Sequence, residues 1–184
     1  MRILLASLAA AAALSAPAFS QSMVVVGRSA AAACYHNAVM HQYDRAALND
    51  CNSAFDYAVM NRETRARTHV NRAVLLMNMG QPVSALRDLD AAVALRFSPP
   101  EVHLNYSAAY VRLERPHEAV AAATAALDAG IAHPERAYVN RAVAYEMMGD
   151  NASAYADYLA ALQHDPDWID VQRELSRFQV ANGS

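Results

Sequence analysis

The sequence predicts an all-α chain, a solenoid of stacked helical hairpins ended by a C-terminal capping helix. Three observations point to it. The string V-N-R-A-V stands at Val70 to Val74 and again at Val139 to Val143, 69 residues on; Leu104-Asn105-Tyr106-Ser107-Ala108 divides that interval into 34 and 35 residues. Small side chains recur at matched places: Ala73, Ser107 and Ala142 in the first helix of each unit, then Ala85, Ala119 and Ala154, and again Ala92, Ala126 and Ala161, in the second. Breakers fall where helices must end, at Gly80-Gln81-Pro82, Arg115-Pro116 and Gly149-Asp150-Asn151 within units, and at Pro99-Pro100, Gly130 to Pro134 and Asp165-Pro166 between them. A period in this range marks units that bury their apolar faces only by stacking on one another.

Composition agrees with one folded domain. Of 184 residues 55% are hydrophobic and 18% charged, which is too apolar for a disordered tail. The net charge of -3, with no long run of one sign, gives no electrostatic footprint for nucleic acid or an anionic membrane. Every basic residue is Arg, so chemistry that needs a Schiff-base or phosphate-loop lysine is excluded.

Taken in order, residues 1–20 read as a secretory signal peptide: Met1 and Arg2 are followed by an apolar run from Ile3 to Leu14 and a small-x-small site at Ala18-Phe19-Ser20. The run is shorter than the roughly 20 apolar residues a bilayer needs, so no membrane span is expected after cleavage. Ala31-Ala32-Ala33-Cys34 has the small residues of a lipidation site, but the apolar run does not adjoin it. Residues 21–28 form an N-terminal arm whose Met23 to Gly27 stretch is apolar and β-prone. The working protein is therefore expected in an exported compartment, periplasmic or secreted.

Apolar spacing predicts helices over Ala31 to Met40 and Ala46 to Val59, meeting near Gln42 and Tyr43. Cys34 lies eight residues before Gln42 and Cys51 eight after Tyr43, so an antiparallel pair sets them opposite each other, inside disulfide range. Two free thiols, a metal site with His36 and His41, and a redox pair are the rival readings. His36 stands about 200° round the helix from Cys34, which opposes convergence on one ion.

Within the repeating part, Leu76, Tyr110 and Tyr145, with Leu89 and Tyr158, are sized to fill the space between hairpins. Arg72 and Asp88 recur at identical spacing as Arg141 and Asp157, whereas the middle unit has Tyr106 and Ala122 in those places. Loss of both partners together is expected of structural ion pairs across each hairpin, because one alone leaves an uncompensated charge. From Trp168 to Val180 the apolar residues Trp168, Val171, Leu175 and Phe178 share one face, as a helix capping an open stack over 168–180 requires.

Over Ala66 to about Trp168 the chain resembles the tetratricopeptide repeat family, in period, small positions and closing turns together. The resemblance implies a right-handed α-solenoid with units at about 66–99, 100–133 and 134–168, and it makes 29–58 a degenerate first hairpin at an offset of 38 residues. In that register Cys34 and Cys51 take the places of Arg72 and Leu89. The chain departs from the family at His69 and His103, where Trp is frequent, and at Ala123, where a large aromatic is usual, which predicts a looser middle hairpin.

The resemblance further implies that first helices line a concave face that binds a peptide or another protein. In this register the groove is Arg67, Val70, Asn71, Val74, Met77, Asn78, Glu101, Asn105, Ala108, Arg112, Arg136, Val139, Asn140, Val143 and Met147. Asn71, Asn105 and Asn140 make a ladder of amides that could grip an extended backbone or could instead tie one hairpin to the next. Met77 and Met147 could supply an adaptable apolar floor or ordinary core. No nucleophile elbow, zinc-protease helix motif or phosphate loop is present, and the seven His are dispersed, so no catalytic activity, cofactor or metal is expected. The resulting expectation is an exported adaptor with a protein or peptide partner; the alternative is an envelope enzyme accessory or a helical protein binding a small ligand or metal.

Overall fold

The structure, a computed structural model, describes residues 29–56 and 60–181; the leader and the Met23 to Gly27 arm lie outside them. Among the described residues every regular element is an α-helix. They run as hairpins: α1 (Ala30–Val39) with α2 (Arg45–Asp56), α3 (Arg62–Asn78) with α4 (Pro82–Ala94), α5 (Pro100–Arg112) with α6 (Pro116–Asp128), and α7 (Pro134–Met147) with α8 (Asn151–His164). The last helix, α9 (Ile169–Ala181), stands alone.

Local chemistry sets these boundaries. Pro82, Pro100, Pro116 and Pro134 each open a helix at a position where the missing N–H has no partner to lose. Elsewhere a side chain caps the start: Asn61 Oδ1 accepts from Thr64 N at 2.8 Å, and Asp44 Oδ1 from Ala47 N at 2.8 Å. Each hairpin turn repeats one device. After α3, α5 and α7 the chain passes through the left-handed region at Gly80 (φ 74°), Glu114 (φ 54°) and Gly149 (φ 76°). The next N–H then returns to a carbonyl five residues back, from Gln81 to Leu76, Arg115 to Tyr110 and Asp150 to Tyr145.

The matched small residues decide how close the helices come. Ala73, Ala85, Ala92, Ser107, Ala119, Ala126, Ala142, Ala154 and Ala161 are all fully buried. With no side chain longer than a methyl or hydroxymethyl group between them, two helix backbones can approach and exclude water along their whole length. Ala123, the position tied to a looser middle hairpin, is itself fully buried. Larger residues fill the seams between hairpins: Leu76, Leu89 and Val102 where α3, α4 and α5 meet, and Tyr158, Val171 and Leu175 under α9.

Consecutive first helices touch, α1 on α3, α3 on α5 and α5 on α7, whereas the second helices make no comparable contact with one another among the described residues. The row therefore curves with α1, α3, α5 and α7 on its inner side. At its N-terminal end Cys34 and Cys51 form a disulfide with Cα atoms 4.6 Å apart. Both are fully buried against Leu75 of α3.

Glu114 occupies in its hairpin the left-handed place that Gly80 and Gly149 hold in theirs. Glu114→Gly is expected to stabilise the fold by up to about 1 kcal/mol, read as a higher urea midpoint, and Gly149→Ala to destabilise it by a similar amount, since a Cβ is strained in that region. Opposite signs for the two changes check the assignment; two losses would contradict it.

Candidate functional site

The four residues read as ion pairs lie between helices and set the frame of the inner face. Arg72 donates from Nε and Nη2 to the two oxygens of Asp88, both at 2.7 Å, which joins α3 to α4. Its third nitrogen reaches back to Asn52 of α2 at 2.9 Å, and the guanidinium lies 4.4 Å from the centre of the Phe55 ring. Arg141 repeats this, donating to Asp157 at 2.7 and 2.8 Å and back to Thr124 of α6 at 3.0 Å. In the middle hairpin, Tyr106 keeps the backward reach alone, its hydroxyl donating to Asp90 of α4 at 2.6 Å. Burial and that carboxylate push the Tyr106 phenol up, which holds it as a donor. His69 also joins Asp88 at 2.8 Å; an ionised carboxylate can only accept, so the proton is on Nδ1.

The residues assigned to the groove fall along the inner face in three adjoining cavities. A central one of about 630 Å³ takes Val74, Met77 and Asn78 from α3, Asn105, Ala108 and Arg112 from α5, and Arg136, Val139 and Asn140 from α7. A second of about 440 Å³ holds Arg67, Val70, Asn71 and Glu101. Val143 and Met147 line a third of about 570 Å³, with Tyr158, Trp168, Glu146, Glu174 and Arg177.

Two walls of these cavities are absent from the sequence-derived set. Helix α1 and the turn after it supply Ala38, Val39, His41 and Tyr43 to the central cavity and Tyr35 to the second, and Trp168 closes the far end. Carrying the groove register back by 38 residues leads from Arg67, Val70 and Met77 to Ser29, Ala32 and Val39, all of which line cavities. That offset was the available signal. Nothing comparable pointed to Trp168, whose place depends on how α9 docks.

Polar groups on this face are unequally engaged. Asn140 Nδ2 donates to Ser107 Oγ at 2.8 Å, and that hydroxyl donates to the Leu104 carbonyl, so one rung of the amide ladder ties two hairpins together. Asn78 bonds the Val74 carbonyl. Asn71 and Asn105 make no side-chain hydrogen bond among the described residues. Met77 is 5% exposed and belongs to the core, whereas Met147 is 45% exposed. Arg67 is joined to Glu63, but Arg112 and Arg136 form no ion pair among the described residues, and no Asp or Glu lines the central cavity. Among the described residues no group of three His, Cys, Asp or Glu is placed to hold a metal ion, and no helix is long and apolar enough to cross a membrane.

Residues 135–167, which span most of α7, all of α8 and the turn beyond, match the tetratricopeptide repeat family model. Comparison with curated proteins returns no match. Tetratricopeptide repeats build protein-interaction scaffolds, and the inner face is where this stack presents its unengaged polar groups.

The frame itself is open to a pH test. Burial by itself would raise the Asp88 carboxyl, but hydrogen bonds from Arg72 and His69, with their charges, outweigh it and hold the group below the usual carboxylate range. A carboxyl depressed in the folded state binds fewer protons there than in the unfolded chain. Its tie therefore contributes fully above the unfolded value of about 3.9 and is lost as pH falls through the lower folded value. Urea midpoints followed from about pH 7 to about pH 3 should fall more steeply for the wild type than for Asp88→Asn; parallel curves would mean that the tie stores no such free energy.

Proposed function

We propose that this chain, a tetratricopeptide repeat protein, is an exported scaffold that holds a peptide or protein segment against the inner faces of α3, α5 and α7 and performs no chemistry of its own. The central cavity carries this reading. Two guanidiniums and the Asn105 amide, all without partners among the described residues, surround an apolar floor, and Asn71 adds a second amide in the adjoining cavity. A primary amide can donate and accept at once, which suits an extended backbone whose N–H and C=O groups lack partners. Placing such groups on helices fixed by core packing limits the ordering cost of binding to the ligand.

Export is supported by the leader pattern in the sequence and by the buried disulfide, which persists in an oxidising compartment such as the periplasm or the medium. The chain isolated from its envelope or secreted fraction is expected to begin near Gln21 by intact mass; a retained Met1 would contradict export by cleavage.

The binding reading is tested by crosslinked capture from the same fraction, comparing the wild type with an Asn71→Ala, Asn105→Ala variant. Asn140 is left in place because it holds two hairpins together. A specific partner should be captured by the wild type and lost from the variant at unchanged melting temperature. A partner held equally by both would put the contact on another face.

A further inference from the structure

We infer that the recognition surface begins one hairpin before the repeating units: disulfide-tied α1 is a wall of a two-part cleft that takes an extended peptide presenting a bulky apolar side chain and, about three residues away, an acidic one. The inference rests on the groove reading above and names the partner's chemistry.

The apolar half is the cavity between α1, α3 and the start of α5. Tyr35 is 58% exposed there, facing Val70, Phe97 and Pro99. One helical turn on, Val39 is 51% exposed and faces the central cavity. Residues four apart share a face of a helix, so one stripe of α1 runs along both halves. Cys34, about 100° round the helix from Tyr35, is fully buried in the bridge with Cys51. The bridge thus fixes the stripe in place before any ligand arrives, which lowers the ordering cost of binding.

The acidic preference follows from charge. Arg112 and Arg136 line the central half, which has no Asp or Glu in its lining, whereas the apolar half contains Glu101 and an Arg67 already joined to Glu63. A ligand carboxylate is attracted at one end and repelled at the other, which also fixes the direction in which the segment lies. The spacing follows from helix geometry. On α3 the two halves are marked by Arg67 to Asn71 and by Val74 to Asn78, seven residues apart. Seven residues of helix rise about 10 Å, which an extended chain covers in about three residues. The chain's own Met23 to Gly27 arm carries no acid and is followed by Arg28, so it lacks the complementary charge.

A random-peptide display selection on the oxidised protein should enrich sequences with an aromatic or large aliphatic residue three positions from Asp or Glu. A fluorescein-labelled Gly/Ser decapeptide carrying Phe and Glu at that spacing is the quantitative probe, read by anisotropy. Changing its Glu to Gln, or combining Arg112→Gln with Arg136→Gln in the protein, should each weaken binding about tenfold at low salt, with the difference shrinking as salt screens the charges. Tyr35→Ala should weaken the probe by a similar factor at unchanged melting temperature, because the side chain is mostly exposed. Enrichment of peptides without an acid, enrichment of nothing, or binding indifferent to Tyr35 and the two Arg would overturn the inference. If the captured partner still depends on Asn71 and Asn105 while ignoring Tyr35, Arg112 and Arg136, the groove reading stands and this inference alone fails.

Discussion

The close approach of two antiparallel helices, made possible by small side chains at matched places, is the constraint on which the rest of the structure depends. Ala73, Ala85 and Ala92 do this for one hairpin, Ser107, Ala119 and Ala126 for the next, and Ala142, Ala154 and Ala161 for the last. Alanine loses no rotamer freedom on burial, so the interface forms with little entropic opposition. Each alanine also removes little apolar area from water, and the larger transfer contributions come from Leu76, Leu89, Val102 and Tyr158 at the seams between hairpins. This division of labour makes stacking obligatory. It also turns one set of helices toward the inside of the curve, where the polar groups left unengaged by packing are found.

Helix pairs held by small contacts can slide or rotate, and two kinds of tie oppose that here. The first hairpin has a disulfide, the second and fourth have a bidentate Arg and Asp pair, and the third has neither among the described residues. Both charged ties are partly buried and bidentate, and each guanidinium makes a third hydrogen bond, which favours Coulomb attraction offsetting desolvation. The backward reach of Arg72 to Asn52, Tyr106 to Asp90 and Arg141 to Thr124 does something separate, setting the rotation of each hairpin against its predecessor. Even the hairpin without a cross-helix pair keeps that reach.

Much of this architecture was legible in the sequence because it is local or periodic. The V-N-R-A-V repeat, the alanine positions and the proline and glycine breakers report helix ends and faces directly. The pairing of Cys34 with Cys51 followed from equal distances to a turn. What could not be read depends on how one hairpin is rotated on the next. Asn140 looked like Asn71 and Asn105, yet it alone meets the Ser107 hydroxyl; Met77 and Met147 looked equivalent, yet one is core and the other exposed. The α1 wall was missed for a related reason, since its offset of 38 residues breaks the period that identified the other units. The bond of His69 to Asp88 was not legible, because no second copy of that triad exists in the sequence to reveal it.

The most direct test of the central constraint uses α6, whose hairpin has no cross-helix ion pair among the described residues to mask the result. Ala119 there is fully buried between helices, and Ala121, two residues on, is exposed. Leucine has good helix propensity, so propensity alone distinguishes the two sites little. Chemical denaturation of Ala119→Leu and Ala121→Leu should show a loss of about 1 to 3 kcal/mol for the first, from overpacking, and a change within about 0.5 kcal/mol for the second. Equal tolerance at both positions would mean that close helix approach is not what holds the hairpin together.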